Sequence, residues 1–121
     1  MAATFSKIAL SGSTDGRMIK VAQTATAGTT LHTGSSTATT FDEIWLYAVN
    51  SSASTVKLTV EFGGVSSPDD LIEFTVPAEN GLYLIVAGLV IKGNATPLLV
   101  RAFAATANVV MMAGYVNRIT A

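Results

Sequence analysis

Five of the eight acidic residues, Glu61, Asp69, Asp70, Glu73 and Glu79, fall within 19 positions, and no Lys or Arg stands between Lys57 and Lys92. Carboxylates grouped in this way serve two chemistries. Their oxygens can gather around a calcium ion, or a pair of them can act as acid and base on a glycosidic bond. Neither reading has a motif behind it here, and acids in turns are ordinarily solvated. His32 is the only histidine and cysteine is absent. Cys–His dyads, thiolate zinc sites and multi-imidazole zinc sites are therefore excluded. A Ser–His–Asp triad would depend wholly on His32, which lies in the Thr/Ser-rich stretch 24–40. Such a stretch is a poor platform for a general base, and a solvated ring is the expectation there. Gly63-Gly64 does not match a phosphate-binding pattern. The chemistry-bearing residues point away from an enzyme, and no cofactor or metal is expected.

Composition is more informative. The chain has 121 residues, of which 12% are charged and 50% hydrophobic, with a net charge of -1. Soluble domains average about 25% charged residues. Ser and Thr number 26 against 15 charges. A monomer of this mass exposes about 6,000 Å² by the usual size scaling, which so few charges leave largely to hydroxyl and apolar groups. Such a surface is poorly defended against association. The near-neutral charge argues against a nucleic-acid groove. Residues 1–10 carry no basic start and no long apolar run, so no signal peptide is expected. The longest uncharged apolar stretch, 82–91, is too short to span a bilayer as a helix. A single domain over 1–121, made in the cytoplasm, is the expectation.

The elements that would position these residues read as strands. Residues 41–62 form two strands around the polar turn 50–54, read as a hairpin. In the second, Val56, Leu58, Val60 and Phe62 face a core, while Thr55, Lys57, Thr59 and Glu61 face water. In the first, Phe41, Trp45, Tyr47 and Val49 share one face, and Ile44, Leu46 and Ala48 the other. A strand apolar on both sides must be covered on both. Earlier in the chain, 5–11 and 17–23 read as strands joined by an Asp15-Gly16 hairpin turn, and a short strand at 29–33 is possible. Later, 71–76, 82–92, 98–104 and 109–119 follow, with Gly88 marking a bulge. Eight or nine strands and no helix give an antiparallel β-sandwich of Greek-key or jelly-roll type. The predicted core is Ile8, Ile19, Val21, Trp45, Leu58, Val60, Ile72, Phe74, Leu84 and Val100.

Four stretches carry a resemblance: LSGSTDGRMIKVAQTATAGTTLHT, DEIWLYAVNSSASTVKLTVEFGG, SSPDDLIEFTVPAENGL and VRAFAATANVVMMAGYVNRIT. Together they resemble small structural proteins of tailed-bacteriophage virions, in particular capsid decoration (cement) proteins. The resemblance implies a non-enzymatic protein on the capsid exterior that locks neighbouring subunits of the major capsid protein together. It also implies a homo-oligomer, with a trimer as the expected state, and neither nucleic acid nor membrane as partner. Interface candidates are Met1, Ala2, Ala3, Thr4 and Phe5 at the start, then Leu31, Tyr83, Leu98, Leu99, Met111 and Met112. Residues 1–5 and the stretch 24–40 are the candidates for reaching capsid subunits. A carbohydrate- or receptor-binding β-sandwich of a head fibre or tail is the alternative, with Trp45, Tyr47 and Tyr83 stacking on sugar.

Overall fold

Nine strands form in chain order: β1 (Thr4–Ala9), β2 (Ile19–Lys20), β3 (Thr29–Thr33), β4 (Thr40–Asn50), β5 (Val56–Phe62), β6 (Leu71–Val76), β7 (Tyr83–Lys92), β8 (Leu99–Ala104) and β9 (Val110–Thr120). The computed structural model describes residues 3–121, and every regular element among them is a strand. Two sheets result. The first runs β1-β9-β4-β7, with β2 also on β9, and the second runs β3-β8-β5-β6. All pairings are antiparallel.

The pairings are nested. β5 pairs β6, β4 pairs β7, β3 pairs β8 and β1 pairs β9. The chain is thus one long hairpin folded over, and the additional pairs β4–β9 and β5–β8 close each sheet. β1 and β2 lie end to end along β9, from Thr4 opposite Thr120 to Lys20 opposite Met111. They are a single edge strand interrupted by residues 10–18. Counted so, the eight-stranded sandwich is a jelly roll.

Alternation along β4 sets the core. Thr40, Asp42, Ile44, Leu46, Ala48 and Asn50 point inward and are buried, and the odd-numbered residues between them are half-buried on the outside. Facing them from the second sheet are Leu31, Leu58, Val60, Val100, Ala102 and Ala104, all without exposed surface. Ile19 and Val21 are also buried, and Ile8, Ile72 and Phe74 pack against this core.

Four expectations are corrected. Residues 41–62 are not a hairpin: β4 and β5 belong to different sheets, and the loop 51–55 carries the chain between them. Asn50 makes that crossing possible. Its buried side chain donates to the Ser54 and Val76 carbonyls and accepts from the Ser52 amide and hydroxyl. Asp15 and Gly16 do adopt the left-handed turn conformation, but they loop out of an edge strand instead of joining two paired ones. Trp45 and Leu84 are not core residues. Both point to the outside, and Leu84 is 47% exposed. Thr59 and Glu61 do not face water: they lie on the outer side of β5 yet are buried.

Gly88 is the bulge its position implied. The β4–β7 register slips between Ile44, opposite Leu89, and Trp45, opposite Ala87, leaving Gly88 unpaired. Its φ is +76°, and a Cβ there would stand 3.1 Å from Trp45 Cζ2. Gly88→Ala should therefore cost about 1–3 kcal/mol through left-handed backbone strain and crowding of the indole. Urea unfolding is the check, and a loss of this size with an unchanged slope is the expected result.

Candidate functional site

The outer side of the first sheet can be read off the register. Phe5, Ile119, Phe41 and Lys92 stand side by side across β1, β9, β4 and β7. The next outward row is Lys7, Asn117, Glu43 and Val90, followed by Ala9, Tyr115, Trp45 and Ala87. Ala113, Tyr47 and Leu84 come next, then Met111 and Val49. Strand neighbours sit under 5.5 Å apart, so these side chains form one continuous surface. It is mostly aromatic and aliphatic; its charges among the described residues are Lys7, Glu43, Lys92 and, opposite Met111 on β2, Lys20. Phe5, Leu84 and Val90 are 72%, 47% and 51% exposed.

The outer side of the second sheet is different. Its rows place Thr30, Arg101, Glu61 and Leu71 together, then Phe103, Thr59 and Glu73, then Lys57 and Thr75. This polar face is what water normally covers in an antiparallel sandwich. The contrast marks the first sheet's outer face as the unfinished one.

At its centre Trp45 and Tyr115 stack, with centroids 5.9 Å apart and planes within 9°. Lys7 Nζ lies 4.6 Å from the far side of the pair, over the Tyr115 ring. Gly88 closes on the indole from β7. The Trp45 indole N–H donates to Glu43 Oε1 at 2.7 Å, and the Asn117 amide donates to the same oxygen at 2.8 Å. These bonds, Trp45 first, hold the Glu43 carboxyl below its usual range. The stack thus has its indole N–H satisfied internally, and each ring packs against the other, with Lys7 over Tyr115. This arrangement suits a flat protein surface better than a sugar ring, which needs a bare aromatic face.

One border of this face is the edge of β7, whose only sheet partner among the described residues is β4. Leu82, Leu84, Leu89 and Val90 along it are about half exposed. Edge strands are usually blunted by Lys or Pro; here only Lys92, at the strand's end, does so.

The acids and the histidine build structure inside the fold. His32 is buried, not solvated as its stretch implied. The Ser11 amide donates to His32 Nδ1 at 3.1 Å, so the ring proton sits on Nε2, which donates to Asp42 Oδ2 at 2.8 Å. Arg118, opposite Asp42 in register, donates from Nε and Nη2 to the two carboxylate oxygens, both at 2.8 Å. Burial raises the Asp42 pKa, but the hydrogen bonds from Arg118 and then His32 outweigh it and hold the group below 3.8. Asp42 in turn raises the Arg118 pKa. Both imidazole nitrogens are used and no hydroxyl meets either, so this His–Asp pair activates no nucleophile; it ties β3 to β4 and β9. The five clustered acids disperse. Glu61 lies under residues 26–28, Asp70 accepts from the Ser66 amide, and Glu73 pairs with Lys57. Among the described residues no three His, Asp or Glu gather at one point.

The interface candidates divide. Met1 and Ala2 lie outside the described residues. Ala3, Thr4 and Phe5 are exposed at the start of β1, and Met111 belongs to the apolar face. Tyr83, Leu98 and Leu99 are half-buried. Leu31 and Met112 are fully buried in the molecule's own core and offer a partner nothing. Residues 24–40 are not a free arm, since they contain β3 and fold back onto Glu61. Phe41 was placed on one face with Trp45, Tyr47 and Val49 but not among the interface candidates, and Val90, Tyr115 and Ile119 were missed as members of that face. The β4–β9 pairing is what joins Met111, Tyr115 and Ile119 to the outward residues of β4.

Comparison of the chain with protein-family models, curated proteins and solved structures finds no match.

The depressed Asp42 pKa has a defined pH consequence. Its stabilising contribution is complete above the unfolded value near 3.8 and disappears as pH falls through the lower folded value. Arg118→Met leaves a buried carboxylate short of its main partner and should cost about 3 kcal/mol at neutral pH. Urea midpoints measured across acid pH check both statements: stability should fall below 3.8 in the parent, and the variant's deficit relative to the parent should shrink there, because protonating Asp42 removes the uncompensated charge.

Proposed function

We propose that this chain is a structural virion protein that decorates the outer surface of a tailed-phage capsid and cements it by non-covalent contacts. The observation that carries the reading is the apolar outer face of the β1-β9-β4-β7 sheet. Strands about 4.8 Å apart, with a rise of about 3.3 Å per residue, give a four-strand face of this length roughly 700 Å² of plan area. A standard stable interface takes about 800 Å² from each partner. The face thus comes close to the area one partner contributes to a standard interface with major capsid protein subunits. The resemblance of the sequence to decoration proteins names that partner, and the particle exterior is the corresponding location.

The free β7 edge supports self-association on the lattice, with a trimer as the proposed state. Backbone groups there are open to strand addition, and the leucines beside them become buried when a neighbour pairs. Weak single sites suffice, because a particle with many copies multiplies them. With four charges on the face and a net charge of -1 on the chain, attachment depends little on salt.

Particles stripped of the protein should release DNA at lower temperature than decorated ones, because a ligand of the assembled state stabilises it by mass action. Val90→Lys places an ammonium in the exposed part of the face without touching the core. The variant should melt like the parent yet bind stripped particles at least about tenfold more weakly, since an unpaired charge is desolvated on docking. Equal release temperatures with the protein confirmed as bound would refute cementing.

A further inference from the structure

A groove of about 610 Å³ lies on the outer face of the second sheet, away from the apolar face. We propose that it binds a neutral carbohydrate of one or two rings. The volume falls within the range of about 300–1,000 Å³ typical of small-ligand sites. Phe103 and Leu71 give it an apolar strip, against which the C–H face of a pyranose packs. Thr24 and Ser67 line the groove beside these residues, and the nearly buried Thr59 belongs to its floor. Lys57 and Glu73, paired at 2.6 Å and both about half exposed, add one strong donor and one strong acceptor. Their charges cancel, so the groove favours neither an anion nor a cation. A polyol, which donates and accepts at every hydroxyl, matches such a lining.

Both walls are fixed before any ligand arrives. Residues 24–28 are held by Glu61, which is fully buried. The Thr26 hydroxyl donates to Oε2 and the Gly28 amide to Oε1, each at 2.7 Å. Burying a carboxylate under a Thr/Ala loop is costly unless it is well bonded, and here it makes that loop a rigid wall. The opposite wall, 63–70, is closed on itself by Asp70, whose carboxylate accepts from the Ser66 amide and whose own amide donates to the Ser66 carbonyl. Preorganised walls reduce the ordering cost of binding. The floor is made of β5 and β8, which have strands on both sides, and the edge strand β6 lies at its margin, so across the floor a ligand meets side chains. Recognition must come from side chains. The two sheets lie back to back, so this groove stays open when the apolar face is covered, and the site does not depend on the capsid reading.

The test uses the full 121-residue protein. Amide chemical shifts are followed during titration with glucose, galactose, mannose, N-acetylglucosamine, maltose and lactose, and with inorganic phosphate in parallel. At least one sugar should give saturable shifts confined to residues 24–28, 57–61, 67–73 and 103–105. Phe103→Ala should weaken that sugar by about tenfold or more, as should Glu73→Gln, an exposed change that spares the core. Val90→Lys should leave it unchanged. The proposal is overturned if no sugar produces such shifts, if the shifts map to Trp45 and Tyr47, if phosphate is the better ligand of the groove, or if Glu73→Gln binds as the parent does.

Discussion

A two-layer sandwich has one dry interior, yet β4 carries large side chains suited to dry surroundings on both of its sides. The inward set, Ile44, Leu46 and Ala48, is satisfied by the second sheet. The outward set, Phe41, Trp45, Tyr47 and Val49, gains neighbours on β9 and β7 but no layer above it. The jelly-roll order makes this unavoidable, because it places β4 between β9 and β7 at the centre of its sheet. Apolar surface left in water favours association non-directionally. The stacked rings, the Gly88 bulge and the shared Glu43 acceptor then give that surface a fixed shape.

Polar groups buried at the ends of the strands hold the layers in register. Asp42 meets His32 and Arg118 at one end of β4, and Asn50 ties the crossing loop at the other. Buried polar groups are expensive when unpaired, so these contacts discriminate against slipped registers.

Strand positions were largely legible, because alternation with period two is a local signal and Val56 to Phe62 or Ile72 to Val76 display it plainly. The Gly88 bulge was legible for the same reason. Which face points inward was not. Trp45 and Ile44 are both apolar, and only the partner strands decide that the smaller residue is buried. Sheet membership was equally hidden: β4 and β5 are joined by a short polar loop that reads like a hairpin turn, and the choice to cross layers rests on Asn50 contacts with distant Val76. His32 looked solvated because the stretch 24–40 around it is mostly small and polar, and Glu61 because alternation puts it on the outward side of its strand. Their partners lie 10 and 35 residues away, and no local pattern reports such pairs.

The central claim is that the outer face of the β1-β9-β4-β7 sheet is the buried one on the particle. Hydroxyl-radical footprinting of the free and the particle-bound protein tests it side chain by side chain. Oxidation of Phe5, Met111 and Tyr47 should drop sharply on binding, while that of Phe103, on the opposite sheet, should not change. Unchanged oxidation of the first three, or protection of Phe103 in their place, would contradict the account.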